Sequence, residues 1–167
     1  MKKNRTKLLC LSAIFSALVF VITAYLHLPT YNGYVHFGDG LIFLAACILP
    51  MPYSVAVGVI GAMLADLLTG FAVWAPGSMA IKGLMALLFS SKAKTIITAR
   101  NLLMLLPAAF ISVAGYYFYE VLITGSFAAS LAGIPGSLAQ AVASSIVFVV
   151  AGVAMDKYDI KKKMLGD

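Results

Sequence analysis

Long apolar runs, separated by short polar or proline-containing gaps, fill this chain from Leu8 to Met155. A helix rising 1.5 Å per residue needs roughly 20 apolar residues to cross a hydrocarbon core, and the pattern predicts six crossings. The first runs from about Leu8 to Leu28 and is ended by Pro29. The second starts near Asp39 and stops at Leu49, before Pro50-Met51-Pro52. The third covers about Tyr53 to Leu68, the fourth Pro76 to Phe89, the fifth Leu102 to Ile123 and the sixth Ile134 to Met155. The second and fourth are short for a crossing. The expected fold class is therefore all-α, a polytopic membrane protein of six transmembrane helices, with residues 1–167 forming one integral membrane domain.

Composition agrees. Apolar residues make up 62% of the chain and charged residues 11%, and mean hydropathy is +1.00. A soluble domain carries about a quarter charged residues to wet its surface, so lipid is the expected solvent. A secreted domain behind a signal peptide is disfavoured, because apolar stretches recur towards the C-terminus. The net charge of +6 does not point to nucleic acid. Lys2, Lys3, Arg5 and Lys7 precede the first run, Lys92, Lys94 and Arg100 sit mid-chain, and Lys157, Lys161, Lys162 and Lys163 close it. With six crossings all three clusters fall on one face, which the positive-inside rule makes cytoplasmic. Both termini are then inside, and the opposite loops, about Pro29 to Gly38, Thr69 to Ala75 and Thr124 to Gly133, hold no Lys or Arg.

Four charges remain at membrane depth: Asp39, Asp66, Lys82 and Glu120. An ionisable group there costs at least about 2.5–3.5 kcal/mol, which makes function the default reading. All four fall in the outer half, and Gln140 of the sixth helix joins them. The plainer reading is that Lys82 neutralises Asp66 or Glu120 and fixes helix register. Asp39 opens the second helix, where a carboxylate suits an N-terminus, and is read as a cap. Asp66, Lys82 and Glu120 are read as site-lining, with Asp66 and Lys82 at comparable depth and able to meet.

Aromatics crowd the same side. Tyr31, Tyr34, His36 and Phe37 fill the first outer loop, Phe71 and Trp74 flank the second, and the fifth helix adds Tyr116, Tyr117 and Tyr119. Each alone suits an interfacial belt. Together, beside buried charges, they offer stacking faces and polar handles for a flat heteroaromatic ligand. His27 and His36 lack the neighbours of a metal site. Cys10 and Cys47 lie inside apolar runs, where a thiol behaves as a small hydrophobe. Small residues recur at Ser12, Ala13, Ser16 and Ala17, and at Gly58, Gly61, Ala62 and Ala65, spacings that let helices approach closely. There is no phosphate loop, nucleophile–base motif or metal cluster in the sequence. Neither enzymatic activity nor a cofactor is expected, and any energy for transport would come from a partner.

These motifs resemble those of the substrate-binding S components of energy-coupling factor (ECF) vitamin transporters, over nearly the whole chain. The resemblance is carried by Tyr34-Val35-His36-Phe37-Gly38-Asp39-Gly40, by the stretch from Gly58 through Gly61 to Asp66 and Gly70, by Trp74-Ala75-Pro76-Gly77 and by Ile81-Lys82-Gly83-Leu84. Pro135 to Gln140 is similar to the start of the family's last helix. The branch most similar has members assigned to riboflavin, pyridoxine-type vitamins and hydroxymethylpyrimidine. The resemblance implies a subunit that captures a vitamin from outside and topples within a complex of a membrane coupling subunit and two ATPases. The buried charges and outer aromatics make Tyr34, His36, Asp66, Trp74, Lys82, Tyr116, Glu120 and Gln140 the expected substrate contacts, and the resemblance implies docking on the coupling subunit through the Ala13–Ala17 step. A stand-alone ion-coupled carrier, with Asp66, Lys82 and Glu120 as a relay, is the competing reading. A structural membrane protein pinned by buried charges is the third.

Overall fold

The computed structural model describes residues 5–30 and 33–166, with backbone only at 29, 30, 33 and 34. Lys2, Lys3, Tyr31 and the Tyr34 side chain lie outside what is described. Eleven helices and strands follow in order: α1 (Arg5–Tyr25), β1 (His27–Thr30), β2 (Gly33–His36), α2 (Gly38–Ile48), α3 (Met51–Leu68), α4 (Ala75–Leu88), α5 (Ala99–Leu103), α6 (Leu105–Thr124), α7 (Phe127–Ser130), α8 (Ile134–Lys157) and α9 (Ile160–Leu165). Single 3-10 turns at Ala72–Trp74 and Leu131–Gly133 lead into α4 and α8.

Prolines set most helix starts. Pro52, Pro76 and Pro135 stand in the first turns of α3, α4 and α8, where a missing N–H costs nothing and φ is already helical. Pro107 explains a departure from the expected fifth helix. It lacks the N–H that would reach back to Leu103, and the run divides at Met104 into α5 and α6. Gly125, in the left-handed region at φ 68°, ends α6. The first outer loop also departs from expectation. Its ends pair as an antiparallel hairpin, His27 opposite His36 and Thr30 opposite Gly33.

Four helical stretches are long and apolar enough to cross a membrane: Arg5–Tyr25, Met51–Leu68, Ala99–Thr124 and Phe127–Lys157. Gly38–Ile48 and Ala72–Leu88 are apolar but shorter. Helix α2 makes up for its length by position. Nearly every residue from Gly38 to Ile48 is buried, so it forms the axis of the bundle, packed against α1, α3, α4 and α8. Around it the other helices turn Leu9, Ile14, Phe110, Leu122, Val142 and Val150 outward, an apolar girdle that suits lipid tails.

Glycines let α3 approach its neighbours. A Cβ on Gly58 would lie 3.0 Å from the Lys82 carbonyl oxygen of α4, and one on Gly61 would lie 2.6 Å from Val19 Cγ1 of α1. The basic pole is knit by side chains. The Asp156 carboxylate accepts from the Ile96 and Ile97 N–H groups at 2.7 and 2.8 Å. Lys161, one of the basic cluster read as a topology signal, is buried. Its Nζ donates to the carbonyls of Cys47, Ser91 and Ala93 at 2.6, 3.0 and 2.7 Å, tying α9 to the end of α2 and to the 89–98 loop.

Candidate functional site

At the opposite pole the helices splay around a cavity of about 130 Å³, or about 830 Å³ counted out to its open mouth. Seven stretches converge there. The hairpin supplies Val35 and His36, α1 supplies Thr23, and α3 supplies Ala62 and Asp66. The α3–α4 connection brings Phe71 and Trp74, α4 brings Ser78 and Lys82, α6 brings Tyr116 and Glu120, and the start of α8 brings Gly136, Ser137 and Gln140. Seven of the eight substrate-contact positions expected from sequence thus share one cavity: His36, Asp66, Trp74, Lys82, Tyr116, Glu120 and Gln140. The eighth, Tyr34, has no described side chain.

The floor is an ion pair, but not the expected one. Lys82 Nζ lies 2.8 Å from Asp39 Oδ1 and 2.9 Å from Oδ2, and both side chains are almost wholly buried. Asp39 stands in the first turn of α2 without capping it through its side chain. Its carboxylate is turned inward to α4 and also accepts from Gln140 Nε2 at 3.0 Å. The reading of Asp39 as a cap and of Lys82 as partner to Asp66 or Glu120 is corrected accordingly. The reason is packing: the buried axial position of α2 places Asp39 against α4 and α8, an adjacency no sequence period encodes.

His36 continues this network from the hairpin. Its Nδ1 accepts from the Gly38 N–H at 3.1 Å, which places the ring proton of the neutral imidazole on Nε2. Burial disfavours the charged ring and holds the pKa down to about 4. The His36 N–H reaches Gln140 Oε1 at 3.4 Å, so Gln140 bridges the hairpin and the floor.

Aromatic rings form one wall. Trp74 lies 6.2 Å from Tyr116 and 6.0 Å from Tyr119, centroid to centroid. Tyr119 Oη donates to the Val73 carbonyl at 2.8 Å, pinning the α3–α4 connection to α6. Tyr116 Oη is 3.2 Å from Ser78 Oγ, and its ring lies 4.7 Å below Lys82 Nζ, within cation–π range. Asp66 and Glu120 are both buried beside these rings. The cavity therefore offers flat faces, two carboxylates and amide and hydroxyl groups, a set suited to binding rather than bond-breaking. Among the described residues no group of His, Cys, Asp and Glu is arranged to hold a metal ion.

Sequence reasoning did not name Thr23 or Ser78, and it singled out Asp39 but read it as a cap. Asp39 carried a signal, since it lies three residues after His36 in the most characteristic motif. The two small-residue stripes on α1 also separate. Ser12 and Ser16 are buried, while Ala13 and Ala17 are exposed on the lipid-facing side.

Among known families, the model describing the S component of the ECF-type riboflavin transporter matches residues 3–157. No curated protein matches the chain.

Proposed function

The chain belongs to the family of ECF-type riboflavin transporter S components, and from that premise we propose that it is the substrate-capture subunit of an ATP-driven importer. As a member it is a multi-pass integral membrane protein of a vitamin-uptake system. Its ligand, on this proposal, is a small water-soluble vitamin or precursor with a flat heteroaromatic ring, of the riboflavin, pyridoxine or hydroxymethylpyrimidine kind. The observation that carries the reading is the single cavity that gathers His36, Asp66, Trp74, Lys82, Tyr116, Glu120 and Gln140. These are costly groups at membrane depth, and a ligand gives them a use.

Four long and two shorter apolar helices support six crossings. The basic residues at 92–100 and 157–163 lie at the pole opposite the cavity, which supports cytoplasmic termini and a mouth facing outward. The partners proposed are the membrane coupling subunit and two ATPases, docked through Ala13 and Ala17. No phosphate loop exists in this chain, so the work of moving the ligand inward falls to those partners.

Uptake into sealed vesicles tests the reading. The chain with the coupling module and ATP is expected to accumulate labelled vitamin, and the chain alone to bind without accumulating. Accumulation by the chain alone, driven by a proton or sodium gradient, would establish the competing carrier.

A further inference from the structure

The basic pole holds a second cavity, of about 1010 Å³, which vitamin capture does not use. Its walls come from the junction of α2 and α3, the last turn of α4, the 89–98 loop, Arg100 of α5 and helix α9. Five of its lining residues are cationic, Lys92, Lys94, Arg100, Lys161 and Lys162, against one carboxylate, Asp159. The neighbouring Asp156 is turned to the Ile96 and Ile97 N–H groups.

Two features make this a formed recess rather than a run of surface charge. Asp159 takes the left-handed conformation at φ 51°, which Asp tolerates better than most side chains. The turn brings α9 from the end of α8 to the end of α2. Lys161 then fixes α9 from within, its Nζ bonded to the carbonyls of Cys47, Ser91 and Ala93. Around this anchor Lys92, Lys94, Arg100 and Lys162 are exposed, and none of these four is ion-paired among the described residues. Like charges gathered this closely repel, and an entering anion relieves that cost.

The opposite flank of the recess is apolar. Met51 opens α3 and Leu87 lies in the last turn of α4, and both line the cavity while remaining exposed. In a bilayer such side chains meet acyl chains. A free phosphate has no use for that flank, whereas an amphiphile uses both sides. Basic recesses between membrane helices suit anionic lipid headgroups for this reason.

We propose that the recess binds one anionic phospholipid, its phosphodiester among Lys92, Lys94, Arg100 and Lys162 and its acyl chains leaving past Met51 and Leu87. The lipid would fasten the 89–98 loop and α9 to the membrane surface. This site does not depend on what the outer cavity binds.

Native mass spectrometry of the purified full-length protein in neutral detergent tests it, with dioleoylphosphatidylglycerol titrated against dioleoylphosphatidylcholine. One phosphatidylglycerol per chain is expected, held about tenfold or more tighter than the zwitterionic lipid. Each cation beside an anionic headgroup is worth about fivefold, so Lys94→Gln/Lys162→Gln should weaken binding about 25-fold. Lys157→Gln/Lys163→Gln removes the same charge from the same pole outside the recess, and should change binding by no more than about twofold. All four side chains are exposed, so melting temperatures close to wild type are expected. Equal losses in the two double variants would mean diffuse surface attraction, and equal retention of the two lipids would mean no headgroup site. Either result overturns the proposal. Displacement of the lipid by excess glycerol phosphate overturns it in favour of a soluble anion. Unchanged lipid affinity in Lys94→Gln/Lys162→Gln, with co-purification of the coupling subunit lost, overturns it in favour of an acidic protein surface. The wild-type preference between the two lipids decides the matter even where a variant does not fold.

Discussion

Asp39 and Lys82 show how one residue's role depends on what the fold sets beside it. Two charges at membrane depth are tolerable only together, because each alone is stranded in a low-dielectric interior. Lys82→Met alone should therefore destabilise the protein by about 3–5 kcal/mol. The double change Asp39→Leu/Lys82→Met should recover most of that loss, as replacing a whole buried pair often does. Unfolding in detergent, followed by helical signal, measures both. Equal losses in the single and double variants would mean that the pair is not what holds α2 to α4. Both variants should lose ligand, since Lys82 lines the cavity. The sequence marked these residues as unusual because charges are rare in apolar runs, but rarity does not say which charge meets which.

At the scale of elements, α1 carries two faces with separate duties. Leu8, Ser12, Phe15, Ser16, Val19 and Thr23 are buried, and Val19 and the Ser16 carbonyl lie where a side chain on Gly61 would fall. Gly61→Leu should cost about 1–3 kcal/mol through overpacking. Ala17→Leu, on the exposed face, should change the stability of the isolated protein by no more than about 0.5 kcal/mol and leave ligand affinity intact. It should nonetheless reduce co-purification with the coupling subunit and vesicle uptake, because close helix approach needs small residues. An equal loss of ligand affinity would assign that face to internal packing. At the basic pole, Asp156→Ala strands the N–H groups of Ile96 and Ile97. It should cost about 1–3 kcal/mol, with faster hydrogen exchange at those two amides. Apolar run length made the long helices legible. The hairpin was not, since its four-residue strands include Pro29 and show no sustained alternation. The break at Met104 was legible in principle from Pro107, but an apolar run on both sides concealed it.

For the whole molecule, the asymmetry between an aromatic, acidic pole and a basic one is the main result. Charge position alone anticipated it: the basic residues of 92–100 and 157–163 stand at one end, and the cavity opens at the other. The membership of the cavity was legible because polar side chains at membrane depth are few and nearly all converge. The wiring of its floor was not, because helix adjacency around α2 is a property of packing. A reporter joined after Asp167 should be active only in the cytoplasm, and activity only outside would invert the cavity's mouth.

Capture of a flat vitamin-like molecule in this cavity has a reporter built into the chain. Trp74 is the single tryptophan, set in the cavity wall 6.2 Å from Tyr116. Titrating the purified protein with hydroxymethylpyrimidine, pyridoxine and riboflavin, while following Trp74 emission, reads out capture. A saturable change at one ligand per chain, abolished by Lys82→Met/Asp39→Leu in protein that remains folded, is the predicted result. Emission that no compound changes, with calorimetry equally silent, would rule out capture and leave the buried charges as clamps between helices.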